Sequence, residues 1–91
     1  MFQDNDYGKP ISEKLSATLR RNATKNDFAN IASRSNISFS TIRDVVYRTN
    51  SLTKSNSKAI KMLTRTAFKN SISQKIEVEN DTVFFDETLN T

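Results

Sequence analysis

The chain has no cysteine, no histidine and no tryptophan, and only one glycine and one proline among its 91 residues. Without Cys or His there is no zinc finger, iron–sulfur cluster, disulfide or His-based acid–base chemistry to look for. A single glycine excludes the Gly-rich phosphate loops of dinucleotide and P-loop sites, which need two or more. No apolar run approaches the roughly 18 residues of a membrane span, and no signal peptide is read at the start. The expectation is a cytoplasmic chain with no membrane contact. Glu13, Asp27 and Asp44 form no pair at useful spacing and no nucleophile–base couple is visible, so no enzyme activity is expected. Nothing implies a metal, a cofactor or a small-molecule substrate.

What is present is charge, unevenly spread. The total of +4 is modest. All fourteen Lys and Arg lie between Lys9 and Lys75, beside only three acids (Glu13, Asp27, Asp44), so that segment carries +11. Asp4 and Asp6 make the first eight residues −2, and Glu77, Glu79, Asp81, Asp86 and Glu87 make the tail −5. A basic body between acidic ends points to a polyanionic partner. Ser, Thr and Asn are abundant, yet the apolar residues recur periodically, so a small core is expected. A domain of this size buries about 60% of its surface and often gains stability by self-association.

Three segments follow from the pattern. Residues 1–8 have no periodicity and are expected as a flexible arm. Residues 9–74 read as helices. Gly8 and Pro10 punctuate the first start, and Ile11, Leu15 and Leu19 form a stripe at i, i+4, i+8. Asp27, or Thr24 through a Thr-x-x-Asp box, can cap a second helix bearing Phe28, Ile31 and Ala32. Ser38 can cap a third, with Ile42, Val45 and Val46 inward. Leu52 and the cluster Thr53, Ser55, Asn56, Ser57 precede a fourth, running to about Ser73 with Ile60, Leu63, Ala67 and Ser71 inward and Phe68 on the flank. Lys54, Lys58, Lys61, Arg65 and Lys69 gather on its other face. In residues 75–91 the period changes to two. Ile76 and Val78 oppose Val83 and Phe85 across Asn80-Asp81, a β-hairpin signal. The expected fold is mainly α: a four-helix helix-turn-helix domain with a C-terminal β-hairpin.

The chemistry concentrates in residues 28–47, FANIASRSNISFSTIRDVVY. Ala32 supplies the small side chain where two short helices cross, and Asn36 tolerates the positive φ of the turn. Ile37 plugs the space beneath. Ile42 and Val45 lock the second helix, leaving Ser40, Arg43, Asp44 and Tyr47 outward with Phe39 at the leading edge. Those residues would enter a major groove.

This segment resembles the helix-turn-helix of lactose-repressor-like and lambda-repressor-like DNA-binding domains. The resemblance runs through Ile31-Ala32, Asn36, Ile37-Ser38, Phe39, Thr41-Ile42 and Val45-Val46, then Leu52-Thr53, Ile60 and Leu63, about half of the chain. It implies that Phe39, Ser40 and Asp44 face bases and that Ser38 and Thr41 contact phosphate. Asn36 stands where the family usually has Gly, a helix precedes the motif, and no sugar-binding domain follows. The expectation is therefore a compact regulator of the phage, plasmid or toxin–antitoxin type.

Each residue has an alternative. Arg43 reads guanine or bridges to Asp44 or a phosphate; Asp44 accepts from cytosine or orients Arg43 or Arg48. Phe39 and Tyr47 touch thymine methyls or sugars, or Phe39 folds back on the core. Arg34, Arg48, Lys54 and Lys58 join Ser38 and Thr41 as expected phosphate contacts, and Arg20, Arg21 and Lys25 form a second basic cluster. The hairpin, through Ile76, Val78, Val83 and Phe85, joins two copies, lies over its own helices, or meets another protein. The function expected is sequence-specific binding of double-stranded DNA by a homodimer on a palindromic operator, repressing transcription. The alternatives are an accessory protein of recombination or plasmid partition, and an interaction module using the motif as scaffold.

Overall fold

Each α-helix among the described residues begins at a hydroxyl. The computed structural model describes residues 1–90, and among these the regular structure is entirely helical. After a short 3₁₀ turn at Asp4–Asp6 come α1 (Glu13–Asn22), α2 (Lys25–Ser35), α3 (Phe39–Val46) and α4 (Lys54–Leu89). Ser12, Thr24, Ser38 and Thr53 are the four caps, each accepting from an N–H in the first turn. Such N–H groups have no partner within the helix. Thr24 and Thr53 complete reciprocal boxes with Asp27 and Asn56. Thr24 rather than Asp27 is therefore the cap of α2. Pro10 lies ahead of the Ser12 cap, outside α1.

Only Asn36–Ser38 separate α2 from α3. Asn36 ends α2 in the left-handed conformation, φ 61°, ψ 22°. Ile31, Ile42, Val45, Val46, Leu52, Ile60 and Leu63 are almost wholly buried, with Leu19 and Phe28 closing the core from α1 and α2. The buried polar groups are paired. The Ser16 hydroxyl donates to the Val46 carbonyl, joining α1 to the end of α3. Asn56 accepts from the Thr53 N–H and donates to the Ser51 carbonyl.

Residues 1–8, expected as an arm, are tied to the body. Phe2 and Tyr7 pack on the core. The Gly8 N–H donates to the Leu52 carbonyl (2.7 Å) and the Leu52 N–H to the Lys9 carbonyl (3.0 Å).

The expected C-terminal β-hairpin is not there. Among the described residues there is no strand, and α4 runs unbroken from Lys54 to Leu89, through Asn80-Asp81. Thr91, the last residue assigned to that hairpin, lies outside the described residues. The physical reason is nucleation. Residues 54–70 are already helical and packed, so each further residue adds a hydrogen bond without a new nucleus. A two-stranded hairpin alone would start afresh and is marginal in water. Thr82 and Thr88 donate from Oγ1 to the carbonyls of Val78 and Phe84, four residues back. Ile76, Val78, Val83 and Phe85 therefore do not pair across a turn; all four are exposed on one helix.

The last anchor of α4 is Asn70, whose amide donates to the Asn22 carbonyl (2.8 Å) and to Asp27 Oδ2 (3.0 Å). From Ser71 to Asn90 every residue is exposed, so Ser71, expected inward, lies beyond the packed part of the helix. The 58 × 25 × 20 Å dimensions of the molecule reflect this projecting helix.

Candidate nucleic-acid interface

The short helix α3 is held at both ends and along one face. At its start, Ser38 Oγ accepts from the Thr41 N–H (3.1 Å) and donates to Thr41 Oγ1 (2.7 Å). Ile42, Val45 and Val46 are fully buried. At its end the carbonyls find donors beyond the helix. Tyr47 N–H serves Arg43, Arg48 N–H serves Val45, and Thr49 and Asn50 N–H both serve Asp44. The Val46 carbonyl takes the Ser16 hydroxyl. Arg48 adopts a left-handed conformation (φ 64°) as the chain leaves the helix.

This fixing leaves Ser40, Arg43 and Tyr47 exposed, with Asp44 half-buried beside them. Arg43 donates from Nε and Nη2 to Asp44 Oδ1, each at 3.2 Å. Both members of this pair are substantially exposed, so its value lies in orientation rather than stability. Phe39 is half-buried; its ring sits 5.9 Å from that of Phe28, tilted by 56°. It therefore rests on the core while still bordering the outer face.

The other expected contacts divide. Arg34 is exposed in the last turn of α2, and Ser38 is exposed next to a half-buried Thr41 at the start of α3. Lys54 and Lys58 are exposed in the first turns of α4. Arg48 points its guanidinium elsewhere, donating to the Ile11 carbonyl (2.7 Å) and to Glu13 Oε1 (3.3 Å). It ties the start of α1 to the chain after α3.

Arg20 and Lys25 gain a sharper position than their cluster in the sequence suggested. The Arg20 guanidinium lies 5.5 Å from the centre of the Tyr47 ring, a cation–π contact. Together with Thr24 and Lys25 it borders an open depression of ≈ 460 Å³ whose other wall is Phe39, Arg43, Asp44 and Tyr47. The only signal in the sequence was basic charge at the end of α1; the stack on Tyr47 spans 27 positions and has no local signature.

Among the described residues no group of three or more His, Cys, Asp or Glu could hold a metal ion, and no helix is long and apolar enough to cross a membrane. No protein-family model matches the chain, and neither a curated protein nor a solved structure matches it.

Proposed function

We propose that this chain is a sequence-specific regulator of transcription that binds double-stranded DNA in the cytoplasm. Two copies would occupy a palindromic operator and repress by occupancy. One observation carries the reading: a short helix, capped and locked on one face, offers Ser40, Arg43 and Tyr47 outward from a body charged +11. Asp44 engages the Nε–Nη2 edge of Arg43 and leaves the Nη1–Nη2 edge for guanine O6 and N7 in a major groove. Arg34, Lys54, Lys58 and Arg20 supply phosphate contacts around it, and the capped start of α3 adds N–H groups suited to an anion.

The test is selection of bound sequences from a random DNA pool, followed by titration of the selected site and of random DNA. Arg43→Ala is expected to cost about 1–3 kcal/mol on the selected site and much less on random DNA. Equal losses on both would remove Arg43 as a base reader. A pool that yields no enriched sequence, with no gel shift at low salt, would refute the reading as a whole.

A further inference from the structure

Beyond Asn70 every described residue of α4 is exposed, with only Ser73, Gln74 and Glu77 bordering a hollow beside the α1–α2 turn, and this outer half carries a largely apolar side. Eight large apolar side chains of this helix are between 46% and 85% exposed. At 100° per residue, seven of them fall within one half of the helix circumference. Ile72, Ile76 and Val83 lie toward one border of that arc and Val78, Phe85 and Leu89 toward the other, with Phe68 and the charged Lys75, Glu79 and Asp86 between them; Phe84 lies opposite. Their exposed surface is on the order of 800 Å² per copy, about what each partner contributes to a standard protein interface. A helix of about five turns in which every described residue is exposed draws little stability from packing, so this face calls for a cover.

Charge identifies the cover. Along α4, residues 54–75 carry six bases (Lys54, Lys58, Lys61, Arg65, Lys69, Lys75) and no acid, whereas residues 76–89 carry five acids and no base. This order opposes the helix macrodipole, which favours acids at the start and bases at the end. A parallel second copy would set acids beside acids. An antiparallel copy sets each acidic end beside the other's basic stretch and corrects the dipole conflict at the same time.

We infer that the outer half of α4 is a homodimer interface in which two copies pair antiparallel, crossing near Glu77. In that register Lys75 faces Glu79 of the second copy, and Lys69 comes within one residue of the level of Asp86. The contact is self-complementary, as a two-fold dimer requires. It deepens the proposed function by giving the two copies their means of association. It rests on the dimeric half of that reading and not on DNA contact, so the two fail separately.

Sedimentation equilibrium of the full chain without DNA, across the micromolar range, tests it. The expected mass is twice 10.4 kDa. An Ile76→Lys/Phe85→Lys double variant is expected at the single mass with the packed body still folded by circular dichroism. Because the chain has no cysteine, single substitutions report direction. Val78→Cys, beside the crossing, is expected to form a disulfide-linked dimer under oxidation. Phe85→Cys is not, since its counterpart would lie about 24 Å away along the axis. A mass that stays at that of one chain leaves the face to a different protein or surface and overturns the proposal. Equal crosslinking at Val78 and Phe85 overturns the antiparallel order.

Discussion

Removing one buried hydroxyl should both destabilise the fold and loosen α3. Ser16 is 2% exposed, and its Oγ donates to the Val46 carbonyl, the last of α3. The other three final carbonyls have backbone donors, so a lost Ser16 hydroxyl leaves one acceptor dry and unpaired. A buried group stranded in this way costs about 1–3 kcal/mol, more than the net value of the bond itself. The expected loss for Ser16→Ala is therefore about 2 kcal/mol, or on the order of 10 °C in Tm for a domain of this size. Thr18→Ala is the control. Its hydroxyl donates to the Lys14 carbonyl within one helix (2.7 Å), where solvent is at hand, and about 0.5 kcal/mol or less is expected. Urea denaturation of both variants measures the difference. A Ser16→Ala variant as stable as Thr18→Ala would refute the claim that α1 holds the end of α3 through this bond.

Asn36→Ala should cost about 1 kcal/mol in the same assay, because the left-handed backbone at φ 61° penalises a Cβ without a polar tip; Asn36→Gly should be nearly neutral. Ending the chain after Gln74 should leave the Tm of the dilute monomer within a few degrees, since every described residue beyond Asn70 is exposed, while abolishing the doubled mass; a collapsed melting transition would show that the outer helix supports the core. Arg20→Ala should weaken binding to selected and random DNA by a similar factor in fluorescence anisotropy, as a phosphate contact would; a loss confined to the selected site would make Arg20 a base reader. Lys54→Ala/Lys58→Ala should flatten the salt dependence of binding by about two units of slope; an unchanged slope would place both outside the interface.

Those expectations differ in how far the sequence alone could carry them. Caps are local: Ser12, Thr24, Ser38 and Thr53 each meet an N–H three residues on. Ser38, the Thr24 box and the cluster around Thr53 are legible without any tertiary knowledge, whereas Ser12 is masked by Pro10 just ahead of it. Apolar stripes are nearly as local, and Ile42, Val45 and Val46 are buried together. Asn36 was legible because few residues other than glycine accept its conformation. The polar contacts that fix the candidate site are of another kind. Ser16 with Val46, Asn70 with Asn22, and Arg20 with Tyr47 join positions far apart in sequence. Nothing in a serine or an asparagine marks which distant carbonyl it will meet. Arg48 shows the same limit. As one base among many beside α3 it suggested phosphate, whereas its guanidinium is spent on Ile11 and Glu13. Of the two arginines that Asp44 could orient, the fold selects Arg43.

The tail shows a harder ambiguity, because its apolar positions satisfy two periods at once. Ile76, Val78, Val83 and Phe85 alternate about Asn80-Asp81 as strands would. They also lie within one half of a helix surface. Local pattern does not choose between these; the preceding helix does, by removing the cost of nucleation. The choice also alters what the charge means. In a hairpin the five acids would fold back on themselves and merely balance the body. On α4 they form a direction, bases at the start and acids at the end, against the macrodipole at both termini. Each terminus then asks for the opposite of what it carries. In the proposed complex DNA phosphate beside Lys54 and Lys58 would answer the first, and Arg65 and Lys69 of an antiparallel copy would answer the second. The adverse order of charge along one helix would thus become favourable only in that proposed complex.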